Sequence, residues 1–213
     1  MEETARGGIK RPLSIRERVY LRIKDEILAG DLPPGSEVVE THMAEKLDVS
    51  RTPVHQAVVR LEQEGFVVID PREGIYVAPI SESEVKEICQ VRVLLEAGLV
   101  REIGGKFTAE ELDEMGSFLD SAGEALERLD VAAFLDANRD FHRQFDRKYG
   151  NERVSAILTN LDAHVRRILT ISWSQEKVRL SHRQHRLILQ SLRQGDANSA
   201  ADLLVEHIWS AVA

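Results

Sequence analysis

Glu40 to Gly65 reads E-T-H-M-A-E-K-L-D-V-S-R-T-P-V-H-Q-A-V-V-R-L-E-Q-E-G, and the first third of the chain takes its fold from this stretch. Two short amphipathic segments flank the break Leu47-Asp48-Val49. The second opens at Ser50, a residue type that caps helix N-termini by accepting a bond from a free backbone N–H of the first turn. Pro53 then falls at the third helical position, where its missing N–H has no intrahelical partner to lose. Val54, Ala57, Val58 and Leu61 follow at i, i+3, i+4 and i+7 and predict one buried stripe. Arg51 and His55 share a second face, with Thr52 and Gln56 beside it. A short helix, a tight turn and a helix with polar N-terminal turns make a helix-turn-helix, whose second helix starts in the DNA major groove. By periodicity alone, an ordinary pair of packed helices is equally open.

The next residues favour the first reading. After Gly65 come Phe66-Val67-Val68-Ile69, a turn-prone Asp70-Pro71-Arg72-Glu73-Gly74, and Ile75-Tyr76-Val77. Two β-branched and aromatic runs around a Pro/Gly loop predict a hairpin, which makes the unit a winged helix. Here the chain resembles the GntR family of bacterial transcription regulators. The matching residues are Leu32-Pro33-Pro34-Gly35-Ser36, Ala44, Leu47, Val49-Ser50-Arg51-Thr52-Pro53-Val54, Leu61-Glu62, Glu64-Gly65 and the wing glycine Gly74. The likeness covers residues 13–80. It implies DNA contacts from Ser50, Arg51, Thr52, His55 and Gln56 on the recognition helix and from Arg72 and Gly74 on the wing. Members of the family usually carry arginine where this chain has His55. A neutral imidazole makes at most one weaker contact where a guanidinium grips bidentately, so the DNA sequence read is expected to differ.

The whole chain has 213 residues, room for one or two domains with ample core. Its single cysteine, Cys89, excludes an intrachain disulfide and suits a reducing cytoplasm. Residues 1–12 are charged, contain glycine and lack an apolar run, so they read as a flexible tail and not as a signal peptide. No apolar run approaches the roughly 18 residues that a membrane span needs. The net charge of −8 is unexpected for a DNA binder, so its distribution matters more than its total. Positive charge gathers between Arg6 and Lys24, with seven basic residues against the single acid Glu17. A local basic face doubled in a dimer is enough for a protein that reads a specific site.

Ser14 to Leu28 predicts a first helix that buries Ile15, Val19, Ile23 and Ile27 and exposes Arg16, Arg18 and Arg22. Pro79-Ile80-Ser81 predicts a short linker, and Ser81 with Glu84 matches a capping box. From there the pattern is helical. Helices are expected over 83–104, from a Thr108 cap to Leu129, and from Asp130 to Gly150. Three more are expected over 151–173, 175–194 and 196–213. In the fourth, Ala156, Leu158, Leu161, Val165 and Ile168 predict the buried stripe. Six helices with short connections predict an antiparallel bundle. The fold class is therefore mainly α: a winged helix-turn-helix over 13–79 and a helical bundle over 80–213.

Within the bundle, His142 lies on the third helix with Asn138 one turn before it, His185 on the fifth and His207 on the sixth. Antiparallel helices can bring these together, and three imidazoles plus an oxygen make a chemically sound zinc or nickel site. Hydrogen-bonded core histidines are the alternative reading. Residues 82–210 resemble the FCD ligand-binding domain that accompanies this winged helix in the FadR-type branch. The likeness rests on Arg92-x-x-Leu95-Glu96, Asn138-x-x-Phe141-His142, Gly150-Asn151, His185-x-x-Ile188, Leu192-x-x-Gly195-Asp196 and His207. It implies a divalent metal on Asn138, His142, His185 and His207. Asparagine stands where many members have aspartate, and its neutral oxygen is the weaker ligand. Asp136 and Asp140 point away from the His142 face.

Arg92 and Glu96 form an i, i+4 pair, which on a helix surface contributes little. Small acids bind near the metal and an arginine in this family. The resemblance therefore points to Arg92 as the clamp on an effector carboxylate, with Glu96 and Arg166 as further effector contacts. Of Arg166 and Arg167 only one can face inward. His164 and His182 read as solvated, and Trp173 and Trp209 as packing residues. These expectations describe a homodimeric, ligand-responsive transcription regulator on a palindromic DNA operator, with a small carboxylate and a divalent metal in the bundle. The rival is a metal-dependent hydrolase. It needs a carboxylate beside the histidines, and no helix pattern supplies one.

Overall fold

The computed structural model describes residues 13–210. The expected tail 1–12 and residues 211–213 of the expected last helix lie outside the described residues. Two compact units meet at Pro79–Ile80.

In the first unit, α1 (Ile15–Ala29) starts at Ser14, whose side chain accepts from Glu17 N, and stops at Gly30 in the left-handed region. It buries Val19, Tyr20, Ile23 and Ile27 against α3 (Arg51–Gln63). Ile15 was expected on that face but is 53% exposed. It borders an open groove with Val49, Pro53 and Gln56. Periodicity predicts the face a residue occupies, not where the opposing element ends.

The first helix of the helix-turn-helix is α2 (Glu40–Lys46). The turn to α3 places Asp48 at φ 51°, a conformation that aspartate tolerates better than most residues. The predicted stripe of Val54, Ala57, Val58 and Leu61 is buried. Ser50 has the extended backbone of an N-cap, but its side chain makes no capping bond, contrary to expectation. After Gly65, β1 (Val67–Asp70) and β2 (Gly74–Val77) pair antiparallel from Val67↔Val77 to Asp70↔Gly74. Residues 35–38 run along the other edge of β2, with Val38 N donating to Ile75 O at 2.7 Å and Val77 N to Ser36 O at 2.9 Å. The Leu32–Ser36 turn thereby braces the wing.

The second unit begins with α4 (Glu82–Arg92), where Ser81 accepts from Glu84 N. The single helix expected over 83–104 is interrupted. A π turn covers Val93–Ala97, then come α5 (Gly98–Ile103) and a 3₁₀ turn at Gly104–Lys106. Gly104 is needed here, because a Cβ would stand 2.7 Å from the Cβ of Ala197. Next is α6 (Ala109–Glu127), with both halves of a Thr108/Glu111 capping box formed. Then follow α7 (Val131–Tyr149), α8 (Glu152–Ile171), α9 (Gln175–Arg193) and α10 (Ala197–Ser210).

The main core joins Val100, Met115, Leu119, Phe141, Phe145, Ile188 and Leu204. On α8 the stripe departs from expectation: Ala156 is exposed, while His164 and Arg167 are buried with Leu158 and Ile168. Glu84 of α4 accounts for this polar face. Its Oε1 accepts from Arg167 Nη2 at 3.1 Å and lies 3.5 Å from His164 Nδ1. His164, at 6% exposure, is therefore not solvated. Burial lowers the Arg167 pKa against the opposing pull of Glu84. His182 is half-buried, and its Nδ1 has no hydrogen-bond partner among the described residues. Trp209 is 37% exposed, so most of its surface is covered. No helix among the described residues is long and apolar enough to cross a membrane.

Candidate functional site

In the first unit, the start of α3 presents Arg51, Thr52, His55 and Gln56 on its exposed side, with Ser50 exposed just before them. Arg51 and His55 are not free-standing. Arg51 Nη2 donates to Glu40 Oε2 at 3.2 Å, and His55 Nδ1 donates to Glu40 Oε1 at 2.8 Å. One carboxylate at the head of α2 thus holds two side chains that sit one turn apart on α3. Glu40 has no sequence signal of its own; only the helix-turn-helix crossing brings it there. At the wing, Asp70 Oδ1 accepts from the backbone of Arg72 and Glu73 at 2.7 and 3.1 Å. Tyr76 Oη donates to Glu73 O at 2.7 Å. Gly74 sits at φ 122°, which side-chain-bearing residues rarely adopt. The exposed Arg72 is thereby carried on a fixed tip. Arg16, Arg18 and Arg22 of α1 are also exposed.

α3 is anchored from behind. Tyr20 Oη donates to Glu64, Lys24 Nζ reaches the same carboxylate at 2.6 Å, and Arg60 Nε donates to it at 3.0 Å. Burial raises the Glu64 pKa, but these three donors outweigh it and leave the carboxyl below its ordinary range. The Arg60 guanidinium also stacks 3.5 Å above the Tyr20 ring.

In the second unit, His142 of α7, His185 of α9 and His207 of α10 converge. The Nε2 of His185 lies 3.0 Å from that of His142 and 2.9 Å from that of His207. All three rings are buried, and Phe141 packs 4.8 Å from the His185 ring. Proton placement follows from the outer partners. Glu96 Oε2 lies 2.8 Å from His142 Nδ1, so that nitrogen carries the proton and donates. Gln184 Oε1 likewise accepts from His207 Nδ1 at 3.2 Å. Both rings then turn a bare Nε2 lone pair toward His185. A proton on His185 Nε2 can meet only one of the two. Burial, then the neighbouring rings, push the His185 pKa well below its usual value, and burial does the same at His207. Neutral imidazoles with facing lone pairs fit a cation. Nitrogens about 2.05 Å from one ion stand about 2.9 Å apart at a right angle and about 3.3 Å apart at the tetrahedral angle. The donor set therefore fits a divalent metal.

Behind His142 stands a charged support. Arg92 Nε donates to Glu96 Oε1 at 2.5 Å while Oε2 holds the imidazole. Burial would raise the Glu96 pKa, but Arg92 and His142 prevail and hold it at about 2. This carboxylate orients a histidine from its far side. Each of its oxygens holds one of these partners, and Glu96 is not among the residues that line the cleft. The expectation that no carboxylate lies beside the histidines is corrected by Glu96. A second carboxyl, Asp162 of α8, feels Arg92, Glu96 and His142, and burial pushes it up to about 6. The π turn at Val93–Ala97 follows Arg92 and contains Glu96, and such turns are a common accompaniment of functional sites. It leaves no mark in the residue spacing.

A narrow cleft of about 50 Å³ begins beside His207. Arg92, Asn138 and His207 line it, together with Phe134, Leu169 and Trp173. Trp173 packs against the bundle core as expected, and its ring also forms part of the wall. Arg166 is not: its Nη1 is bound to Asp136 at 2.6 Å. Arg167 turns to Glu84 instead. The structure brings Arg92, Glu96, His142, His185 and His207 into one contact network, places Asn138 in the lining of the cleft and leaves Arg166 outside that lining.

Residues 15–77 match the bacterial regulatory proteins of the gntR family, and residues 87–209 match the FCD domain. An uncharacterised HTH-type transcriptional regulator of the TAR-I ttuE-ttuC' intergenic region of Agrobacterium vitis is 33% identical over 126 residues, 58% of this chain and 74% of that one. The transcriptional repressor RspR of Escherichia coli K12 is 23% identical over 91% of this chain and 86% of its own. Among solved structures, a GntR transcriptional regulator of Rhodococcus sp. RHA1 superposes with a TM-score of 0.83 at 21% identity, covering 94% of this chain and 96% of that chain. E. coli McbR/YncC does so at 0.78 and 22% identity, covering 92% and 94%. At that identity these two carry the fold alone. With its winged helix, its FCD domain and relatives that are transcriptional regulators and not enzymes, the chain belongs to the gntR family of DNA-binding bacterial regulators.

Proposed function

We propose that a small organic acid, bound in the cleft of the helical unit beside a divalent metal, controls the affinity of the winged helix for a palindromic operator. The regulator then acts in the cytoplasm as a homodimer, one winged helix to each half-site, and its ordinary action is repression. The name of RspR as a repressor supports that sign.

The convergence of three imidazole Nε2 atoms at the head of a cleft carries this reading. His142, His185 and His207 would hold the metal, zinc or nickel by donor type, with Asn138 offering a neutral oxygen from the turn before His142. A bound divalent ion supplies a fixed positive charge and open coordination positions. The chain's own contribution is orientation and charge. Glu96 and Gln184 fix the tautomers of His142 and His207. Arg92, held by Glu96 through Nε and with Nη2 3.3 Å from His142 Nδ1, has Nη1 left for an anion in the cleft. An effector changes DNA affinity only by binding one state of the protein better than the other. A hydrolytic reading has no support, because Glu96 meets His142 on the side away from Nε2.

On DNA, Arg51 and His55 read base edges or phosphates at the start of α3 while Thr52, Gln56, Ser50 and the wing residues Arg72 and Gly74 fix the register. The test is an electrophoretic shift with a fragment of the protein's own promoter region at fixed salt, with acid and chelator varied. Retardation that is relieved by an organic acid, and no longer relieved after chelation, is the expected result. Retardation insensitive to every acid would remove the effector role, and no retardation would remove operator binding at that fragment.

A further inference from the structure

The cleft changes character along its length. At one end, level with the histidines, stand Arg92 and His207, both buried. Its walls are then apolar. Phe134 and Trp173 meet edge to face at 5.6 Å and 80°, and Val165, Leu169, Val178 and Ile208 complete the lining. Polar groups return at the rim, where Lys177 is exposed and has no ion-pair partner among the described residues. Ser174 and Ser181 lie one helical turn on either side of Lys177, on the same face of α9. Other wall hydroxyls are already committed: Ser172 Oγ donates to Ile168 O at 2.8 Å, and Ser210 Oγ to His207 O at 2.7 Å.

This sequence of surfaces selects its ligand. A polyhydroxylated acid would press hydroxyls against Phe134, Leu169 and Val178, where they would lose water and gain no partner. A flat apolar body meets ring faces and aliphatic side chains throughout. Its acid group reaches Arg92 at the end level with the histidines, and an oxygen at its far end comes up to Lys177.

Resting on the reading of the cleft as the effector site, we propose that the effector is an aromatic carboxylate bearing an oxygen substituent at the end opposite the acid. Phe134 and Trp173 are its ring contacts, and Lys177 is the residue that recognises its distal oxygen. Neither Lys177 nor Trp173 has a counterpart in the reasoning from histidine spacing.

Isothermal titration of the full-length, metal-supplemented protein with benzoate, 4-hydroxybenzoate and gluconate tests the proposal. 4-Hydroxybenzoate should bind more tightly than benzoate, and gluconate at least about tenfold more weakly than either. Lys177→Ala, an exposed position that leaves the fold intact, should erase the preference for 4-hydroxybenzoate over benzoate. Trp173→Leu should weaken both aryl acids roughly three- to tenfold. Gluconate binding as tightly as the aryl acids, or an unchanged preference in Lys177→Ala, overturns this ligand class and leaves acid control of the regulator standing. If none of the three acids binds and none alters the DNA complex, the class proposed here fails. The effector reading beneath it fails only if other organic acids also leave the DNA complex unaltered.

Discussion

His55 Nδ1 lies 2.8 Å from Oε1 of Glu40, while Oε2 of the same carboxylate accepts from Arg51. The head of α2 thereby aims two side chains of the recognition helix. With Nδ1–H given to Glu40, a neutral His55 turns an accepting Nε2 outward, the complement of an adenine or cytosine amino group.

Glu40→Gln should lower the ratio of specific to non-specific DNA binding by roughly five- to tenfold, about 1 kcal/mol. Loss of a negative charge favours phosphates everywhere, whereas loss of aim harms only the specific complex. Arg51→Ala should cost the specific complex about 1–3 kcal/mol. Both are read by fluorescence anisotropy on operator and scrambled duplexes at one salt concentration. An unchanged ratio in Glu40→Gln would show that the carboxylate orients nothing that touches DNA.

His55→Arg places a permanent cation on the exposed side of α3 near its start. Operator binding should tighten, and if the new contact is to phosphate the slope of log affinity against log salt should steepen by about one. Neither change occurring would locate position 55 off the DNA.

Behind the interface, Glu64 couples α1 to α3 through Lys24, Tyr20 and Arg60. Its pKa is lowered in the folded unit, so the network stabilises the unit fully above the ordinary carboxylate range. That contribution disappears as pH falls below this range toward the lower folded value. The thermal midpoint of the winged helix should therefore fall on acidification more steeply in the parent than in Glu64→Gln, which starts lower at neutral pH. Parallel pH profiles would contradict this.

Asn138 sits one turn before His142 and lines the cleft. Asn138→Asp adds an anionic oxygen beside three neutral imidazoles. Metal should be held roughly tenfold more tightly against a chromophoric chelator, and acid effectors more weakly because the site is less positive. Tighter metal with unaltered acid affinity would separate the acid from the metal.

Much of this architecture was legible in sequence because it is carried by periodicity and punctuation. Val54, Ala57, Val58 and Leu61 spell the buried stripe of α3, and the Asp70–Gly74 loop spells the wing. Thr108, Asp130 and Asn151 all cap the helices they were expected to start. What escaped depends on neighbours distant in the chain. Glu84 turns His164 and Arg167 inward, and Glu40 reaches Arg51 and His55 across the helix crossing. The π turn that begins after Arg92 and contains Glu96 leaves no mark in their sequence spacing. Arg166 fails as a cleft residue because Asp136, a full helix away in sequence, captures it. Trp173 packs in the bundle as its sequence position suggested, but that its ring also faces the cleft depends on Phe134 of another helix.

Metal content measured after supplementation with zinc or nickel and exhaustive dialysis decides whether His142, His185 and His207 form a metal site. The parent should retain about one ion per chain and His185→Ala none, since two imidazoles and a neutral amide hold a divalent ion poorly. Parent and His185→Ala both emerging free of metal, while the parent's DNA complex still responds to an acid, would make the three histidines polar core residues and contradict the account.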